Sequence, residues 1–287
     1  HRQRAAGLRT GGGVTITGDL PRPAPRRRYG QHHLVDAGTL AAILALADVR
    51  PDDVVLEVGA ADGLLTRPLA ERAAAVHAFE VDRRFGDALT NLANACPGLH
   101  VVMQDALRAD LRALEPPPTA LVANLAYNIA IPVIMRSLTE LPTVGRWAVM
   151  VQKELAERLF ASPSTKAYSA VSVLAQLQCR RRAERAVPRT VFSPRPRVDS
   201  AFVVFERRAE APRGRDWEAL EQLVRRGFAQ RRKMLATSLA GAVRGGRSLT
   251  REEVRAALGC CGLSPAARPE ELTPAAFVRF AKEVGWL

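Results

Sequence analysis

The chain has 287 residues, 47% of them hydrophobic and 25% charged, and a formal net charge of +13. That length buries one large core with room for a smaller appended unit. No apolar run nears the roughly 18 residues that span a bilayer, and no N-terminal apolar core marks a secretory leader, so a cytoplasmic, monomeric protein without a membrane anchor is expected. Cys96, Cys179, Cys260 and Cys261 lack zinc-type spacing and read as reduced thiols.

The charge is unevenly spread. Residues 1–28 hold seven Arg and one Asp, and residues 211–287 hold 14 basic and 8 acidic groups. Residues 29–210 are nearly balanced, with 21 basic and 20 acidic groups. Arg abundance alone would reflect gene composition, but not this segregation. A polyanionic partner, nucleic acid or another phosphate-rich surface, is expected.

In chain order, residues 1–28 are Gly-, Pro- and Arg-rich without periodicity, and read as a flexible basic arm. "AGTLAAILALADV" has helical spacing, and "DDVVLEVG" is a short buried strand ending in glycine. "LLTRPLAERA" is a helix, "AVHAFEVD" a strand, "RRFGDALTNLANA" a helix and "LHVVMQDAL" a third strand. "TALVANLAY" is the fourth strand, and "WAVMVQKELAERLF" passes from strand to helix. This alternation predicts a doubly wound, mostly parallel α/β sheet over residues 29–210. "AVSVLAQLQCRRRAERAV" reads as strand or helix followed by polar turns, and "PRPRVDSAFVVFERR" as a loop into a strand, so an antiparallel pair closes the sheet. Residues 211–216 form a linker to a smaller helical unit, 211–287, in which Thr250 is a predicted N-cap. Within it "RRGFAQRRK" is expected to set several cations on one helical face.

Chemistry-bearing residues fall at successive strand ends, where ligands dock in open α/β sheets. Strand one ends in "EVGAADG", with Glu57, Gly59 and Gly63 in a turn before a helix. The next three strands end in Glu80, Asp105 and Asn124. A lone acid at a strand end is most often a solvated or helix-capping carboxylate. Four consecutive ends carrying Gly, Glu, Asp and Asn fit a nucleoside site better, with Glu80 on ribose hydroxyls and Asp105 on an exocyclic amine. NAD and S-adenosylmethionine sites share this pattern, but "GAADG" departs from G-x-G-x-x-G and disfavours the dinucleotide. His32 and His33 are adjacent, so their side chains diverge; with no third ligand in view, no metal is expected.

The set "GQHHLVD", "VLEVGAADGLLT", "FEVD", "QDAL", "NLAYNIAIP", "VQKELAERL", "KAYSAVSV" and "VFSPRPRVDS" resembles the ribosomal RNA adenine N6-dimethyltransferases of the KsgA and Erm type, from about Tyr29 to Arg208. "GFAQRRKMLATSL" is similar to that family's C-terminal helical unit, and "KAYSAVSV" is closer to the small-subunit (KsgA-type, 16S) branch. The resemblance implies a Rossmann-like, class I S-adenosylmethionine-dependent methyltransferase domain with a smaller α-helical domain, acting on ribosomal RNA or a ribosomal subunit particle. It implies a cofactor site of His32, Leu34, Gly59, Ala61, Gly63, Glu80, Asp105, Ala106 and Asn124. It implies target-adenine contacts from Asn124, the carbonyl of Ala126, and Tyr127, with Phe192 as the opposite stacking face and Arg231, Arg232 and Lys233 on RNA. The product would be S-adenosylhomocysteine.

Three departures stand near these positions. Ala60 and Ala61 replace Pro and Gly of the family's first turn, His32–His33 replaces Asn-Phe, and Ala126 replaces Pro. A resistance-type methyltransferase acting on another adenine, and a non-catalytic RNA-binding assembly factor, therefore stay open at this point.

Overall fold

The computed structural model describes residues 31–287 together with Pro23 and Arg26. The expected basic arm, apart from those two residues, lies outside the described residues.

The first half of the chain alternates as expected: β1 (His33–Leu34), α1 (Ala37–Ala47), β2 (Val54–Val58), α2 (Thr66–Ala70), β3 (Ala75–Phe79), α3 (Gly86–Ala95), β4 (Leu99–Val102), β5 (Ala120–Asn124), α4 (Ala130–Glu140), β6 (Arg146–Gln152) and α5 (Lys153–Leu159). Then come α6 (Ala170–Gln178), β7 (Cys179–Val187), β8 (Phe192–Ser193) and β9 (Ser200–Arg207). The large sheet runs β4-β3-β2-β5-β6-β9-β7. Its first five strands are parallel, and β9 is antiparallel to both β6 and β7. The order turns back between β2 and β5, which opens a crevice above their carboxyl ends.

The parallel strands β2, β3 and β5 are mostly apolar because both faces are covered. Leu56, Val58, Leu121, Ala123, Trp147, Val149 and Phe205 pack on one side. Val55, Val76, Ala78, Val122, Ala148, Met150 and Phe202 pack on the other. Alternation along each strand assigns the faces, and Glu57 falls on the second.

The basic run 179–187 is a strand, not the polar turns expected from its composition. It is the outer edge of the sheet, so its arginines lie in solvent while Cys179 and Val187 are buried at its ends. Arg180 and Arg182 pair across to Glu206 on β9, and Arg181 pairs with Glu184. Charged edges of this kind discourage pairing with other chains.

The C-terminal unit contains α7 (Gly214–Phe228), α8 (Leu235–Leu239), the hairpin of β10 (Val243–Arg244) and β11 (Arg247–Ser248), α9 (Arg251–Cys260) and α10 (Pro274–Glu283). Thr250 caps α9 as expected, in a reciprocal box with Glu253. These helices share one apolar cluster with α4 and α6 of the body. Polar ties reinforce it: Trp217 Nε1 donates to Thr139, and the buried Tyr168 hydroxyl donates to the Leu272 carbonyl.

The single cationic helix face expected over "RRGFAQRRK" does not form. Helix α7 ends at Phe228, and 231–233 follow in a turn. Arg231 is committed internally, pairing with Glu270 at 2.5 Å and donating to the Thr165 and Lys166 carbonyls. Arg232 and Lys233 are exposed.

Candidate active site

The turn after β2 builds the cleft floor. Gly59 and Ala60 both donate to the Phe79 carbonyl, which lashes the turn to the end of β3. Gly59 has φ +87°, a conformation glycine adopts freely. Ala61 has φ +48°, so a side chain occupies the left-handed region at a cost of roughly 1–2 kcal/mol. Ala61→Gly is therefore expected to raise stability by up to about 1 kcal/mol, the relief partly offset by a freer unfolded chain. Thermal unfolding reads this, and a lower midpoint would contradict it.

Glu80 at the end of β3 is held by backbone. Its Oε2 accepts from Ala61 N at 2.8 Å, and Oε1 accepts from Val81 N and Asp82 N. Burial still pushes its carboxyl up from the ordinary value against those three bonds. One lone pair is left on Oε2, enough for one hydroxyl rather than an open carboxylate for two. Val81 beside it is 43% exposed and lines the cleft, an apolar wall that strand-end reasoning about polar residues passed over. Asp105 Oδ1 accepts from Leu107 N, fixing the carboxylate at the rim, and Ala106 is buried next to it.

Opposite stand Asn124, Ala126 and Tyr127, carried to the crevice by β5. Asn124 Nδ2 donates to the His32 carbonyl at 3.2 Å, which orients the amide and leaves Oδ1 as acceptor. The Ala126 carbonyl accepts from Ile129 N and keeps a second lone pair. The Tyr127 hydroxyl is tied to Ser200 Oγ at 2.8 Å, and burial raises the phenol above its usual range. Ser200 was not picked out from the sequence; only the β9 register, which places it at the sheet edge, reveals the role.

A small ribbon roofs the site. In β1 and β8, His33 pairs with Ser193 and Leu34 with Phe192. This brings Phe192 into the cleft wall. The His32 ring bonds the Pro194 carbonyl at 2.8 Å and lies 5.5 Å from the Tyr127 ring.

These elements together bound one open cleft. His32, Gly59, Ala61, Glu80, Asp105, Ala106, Asn124, Ala126, Tyr127 and Phe192 all line it. Leu34 and Gly63 do not. Leu34 lines the adjoining cavity with Gly59, Ala61 and Asn124, and Gly63 has φ +83°, a turn backbone that favours glycine. Arg231, Arg232 and Lys233 lie outside the cleft.

Beneath the glycine turn, Glu57 faces a second cavity with Leu40, Ile43, Met150 and Phe202. It is 1% exposed, and its Oε2 has no hydrogen-bond partner. Burial pushes its carboxyl up to about 8 against the opposing effect of the Thr66 hydroxyl, and the nearby Glu80 and Asp62 add to the rise.

A family model described as ribosomal RNA adenine dimethylase matches residues 24–258. The chain belongs to the ribosomal RNA adenine dimethylase family. It is similar to the ribosomal RNA small subunit methyltransferase A of Rubrobacter xylanophilus, 42% identical and covering 94% of this chain and 98% of the relative. The same-named protein of Phenylobacterium zucineum is 40% identical over 91% and 88%. Among solved structures, the 23S rRNA methyltransferase ErmE is 30% identical, with a TM-score of 0.65 over 88% of this chain and 99% of that one. A dimethyladenosine transferase of Plasmodium falciparum, 23% identical, shares the fold at a TM-score of 0.74, covering 88% and 98%. This member of the dimethylase family is thus an α/β methyltransferase with appended helices, as its sequence motifs implied.

Proposed function

We propose that this dimethylase-family enzyme transfers methyl groups from S-adenosyl-L-methionine to the N6 amine of an adenine in small-subunit ribosomal RNA. The observation that supports this best is the meeting of two half-sites in one cleft. Glu80, Asp105 and the Gly59–Ala61 turn offer acceptors and backbone for a nucleoside. Asn124, Ala126, Tyr127 and Phe192 offer two acceptors and two rings for a purine amine. The donor set fits the cofactor, with the remaining Oε2 lone pair of Glu80 for a ribose hydroxyl and Asp105 for the adenine amine. When bound, the cofactor supplies an electrophilic methyl group on a sulfonium.

The protein's part is alignment. An exocyclic amine is a weak nucleophile because its lone pair is delocalised into the ring. Accepting its hydrogens at Asn124 Oδ1 and the Ala126 carbonyl turns that lone pair toward the donor. Such a base has to leave its stack first, and stacking on Tyr127 and Phe192 offsets that by roughly 1–3 kcal/mol per ring.

The small-subunit assignment rests on the names of the most similar relatives, against 30% identity to a 23S enzyme. Incubation of separated 30S and 50S particles with radiolabelled cofactor, followed by nucleoside mass spectrometry, tests it. Dimethyladenosine in 30S RNA is the expected result; label confined to 50S particles, or in neither, would overturn it.

Arg232 and Lys233 are the cations of the turn left for phosphate. Arg232→Glu combined with Lys233→Glu is expected to weaken RNA binding, to flatten its salt dependence by about two units of slope and to leave cofactor affinity unchanged. Unaltered RNA affinity in a filter-binding titration would contradict this. Arg231→Glu, by contrast, would lower the unfolding temperature.

A further inference from the structure

We propose that His32 accepts the proton shed by the adenine amine during transfer, a role that rests on the reading above. The tautomer comes first. Nδ1 lies 2.8 Å from the Pro194 carbonyl oxygen. A carbonyl only accepts, so Nδ1 carries the hydrogen, and in the neutral ring Nε2 is a bare lone pair on the side away from Pro194.

Placement comes second. The ring lines the cleft and leans on Tyr127, with 5.5 Å between centroids and 34° between planes. Its own carbonyl receives the Asn124 amide, and the next two residues are pinned to Ser193 and Phe192. One residue therefore touches both the amide that would hold the amine and the phenol that would stack the base.

The chemistry leaves a proton that an acceptor there can take, which the family's Asn at this position cannot do. As the nitrogen lone pair forms the N–C bond, the S–C bond breaks and its electron pair stays on sulfur. The nitrogen is left positively charged with a surplus proton. Amide and backbone oxygens accept hydrogen bonds but do not keep a proton. The phenol of Tyr127, tied to Ser200 and acted on by Asp199 at the foot of β9, stays protonated at neutral pH. Glu80 already takes three backbone hydrogens, and Asp105 stands at the end of β4 across the cleft. His33 shares the ribbon, and Arg195 follows Pro194 in the loop that carries the carbonyl. Nε2 of His32 takes the proton as the ring becomes imidazolium, and bulk water then removes it. Each of two methylations would repeat the cycle.

Two measurements test this. Long-range ¹⁵N–¹H spectra of the free protein, with ring-labelled histidine, are expected to show His32 hydrogenated at Nδ1 and bare at Nε2; the opposite tautomer overturns the proposal. Single-turnover transfer to 30S particles is expected to slow along an acid limb in the wild type, because an imidazolium has no lone pair to offer. His32→Asn and His32→Ala are expected to lose that limb and run about 100-fold slower at pH 8. Added imidazole should restore rate to His32→Ala. A wild-type pH limb retained in His32→Asn, or a loss confined to KM, overturns the proposal alone. A wild type that binds cofactor yet methylates no adenine removes the underlying reading with it.

Discussion

Asn124→Ala is expected to slow methyl transfer by about 10²–10³-fold, the usual cost of removing one preorganised polar contact to a reacting centre. Its Oδ1 is the acceptor left over once Nδ2 is spent on the His32 carbonyl. Alanine also removes that donor, so the ribbon of β1 and β8 loses one of its ties to β5. The two losses separate in Asn124→Asp. A carboxylate keeps an acceptor for the amine but sets like partial charges against the His32 carbonyl, so it is expected to be nearly as slow and to bind cofactor less tightly. Single-turnover rates with calorimetric cofactor titration measure both. Wild-type turnover in Asn124→Ala would remove the amide from the mechanism and leave Tyr127 and Phe192 as simple walls.

Glu57→Gln is expected to stabilise the protein at pH 8 by roughly 2–5 kcal/mol and to have little effect at pH 4.5. The sign follows from the direction of the shift. Burial raises the folded carboxyl from 4.5 to about 8. Between those values the folded chain holds a proton that the unfolded chain has released. Stability from this group is therefore fully present below about 4.5 and declines as pH rises toward 8, by at most ~1.4 kcal/mol per unit. A glutamine is neutral throughout and escapes the decline. Urea unfolding of both proteins at pH 5 and pH 8 provides the check. Parallel losses in the two would mean that the carboxylate finds a partner in solution.

Much of the parallel sheet was legible because each strand is a short apolar run ended by a distinctive residue. Glu80, Asp105 and Asn124 stand where strand ends place them, and the switch point between β2 and β5 gathers them with no further instruction. What sequence reading missed depends on distant partners. The run 179–187 has no apolar alternation because an edge strand exposes its arginines, so it looked like turns. Ser200 is unremarkable until register sets it against Tyr127. Arg231 resembles Arg232 and Lys233 until Glu270, 39 positions later, claims it. The left-handed backbone at Ala61 is likewise invisible to composition.

The roof ribbon carries a consequence for synthesis. His32 meets Pro194 across 162 positions of chain. During translation the parallel strands β2 to β6 are made well before Phe192 emerges from the exit tunnel. A nascent chain halted near residue 180 would own the strand tips with no ceiling over them. Assembly of the cleft thus waits for one late, long-range closure, and its timing is set by elongation and by the slow search that distant contacts impose.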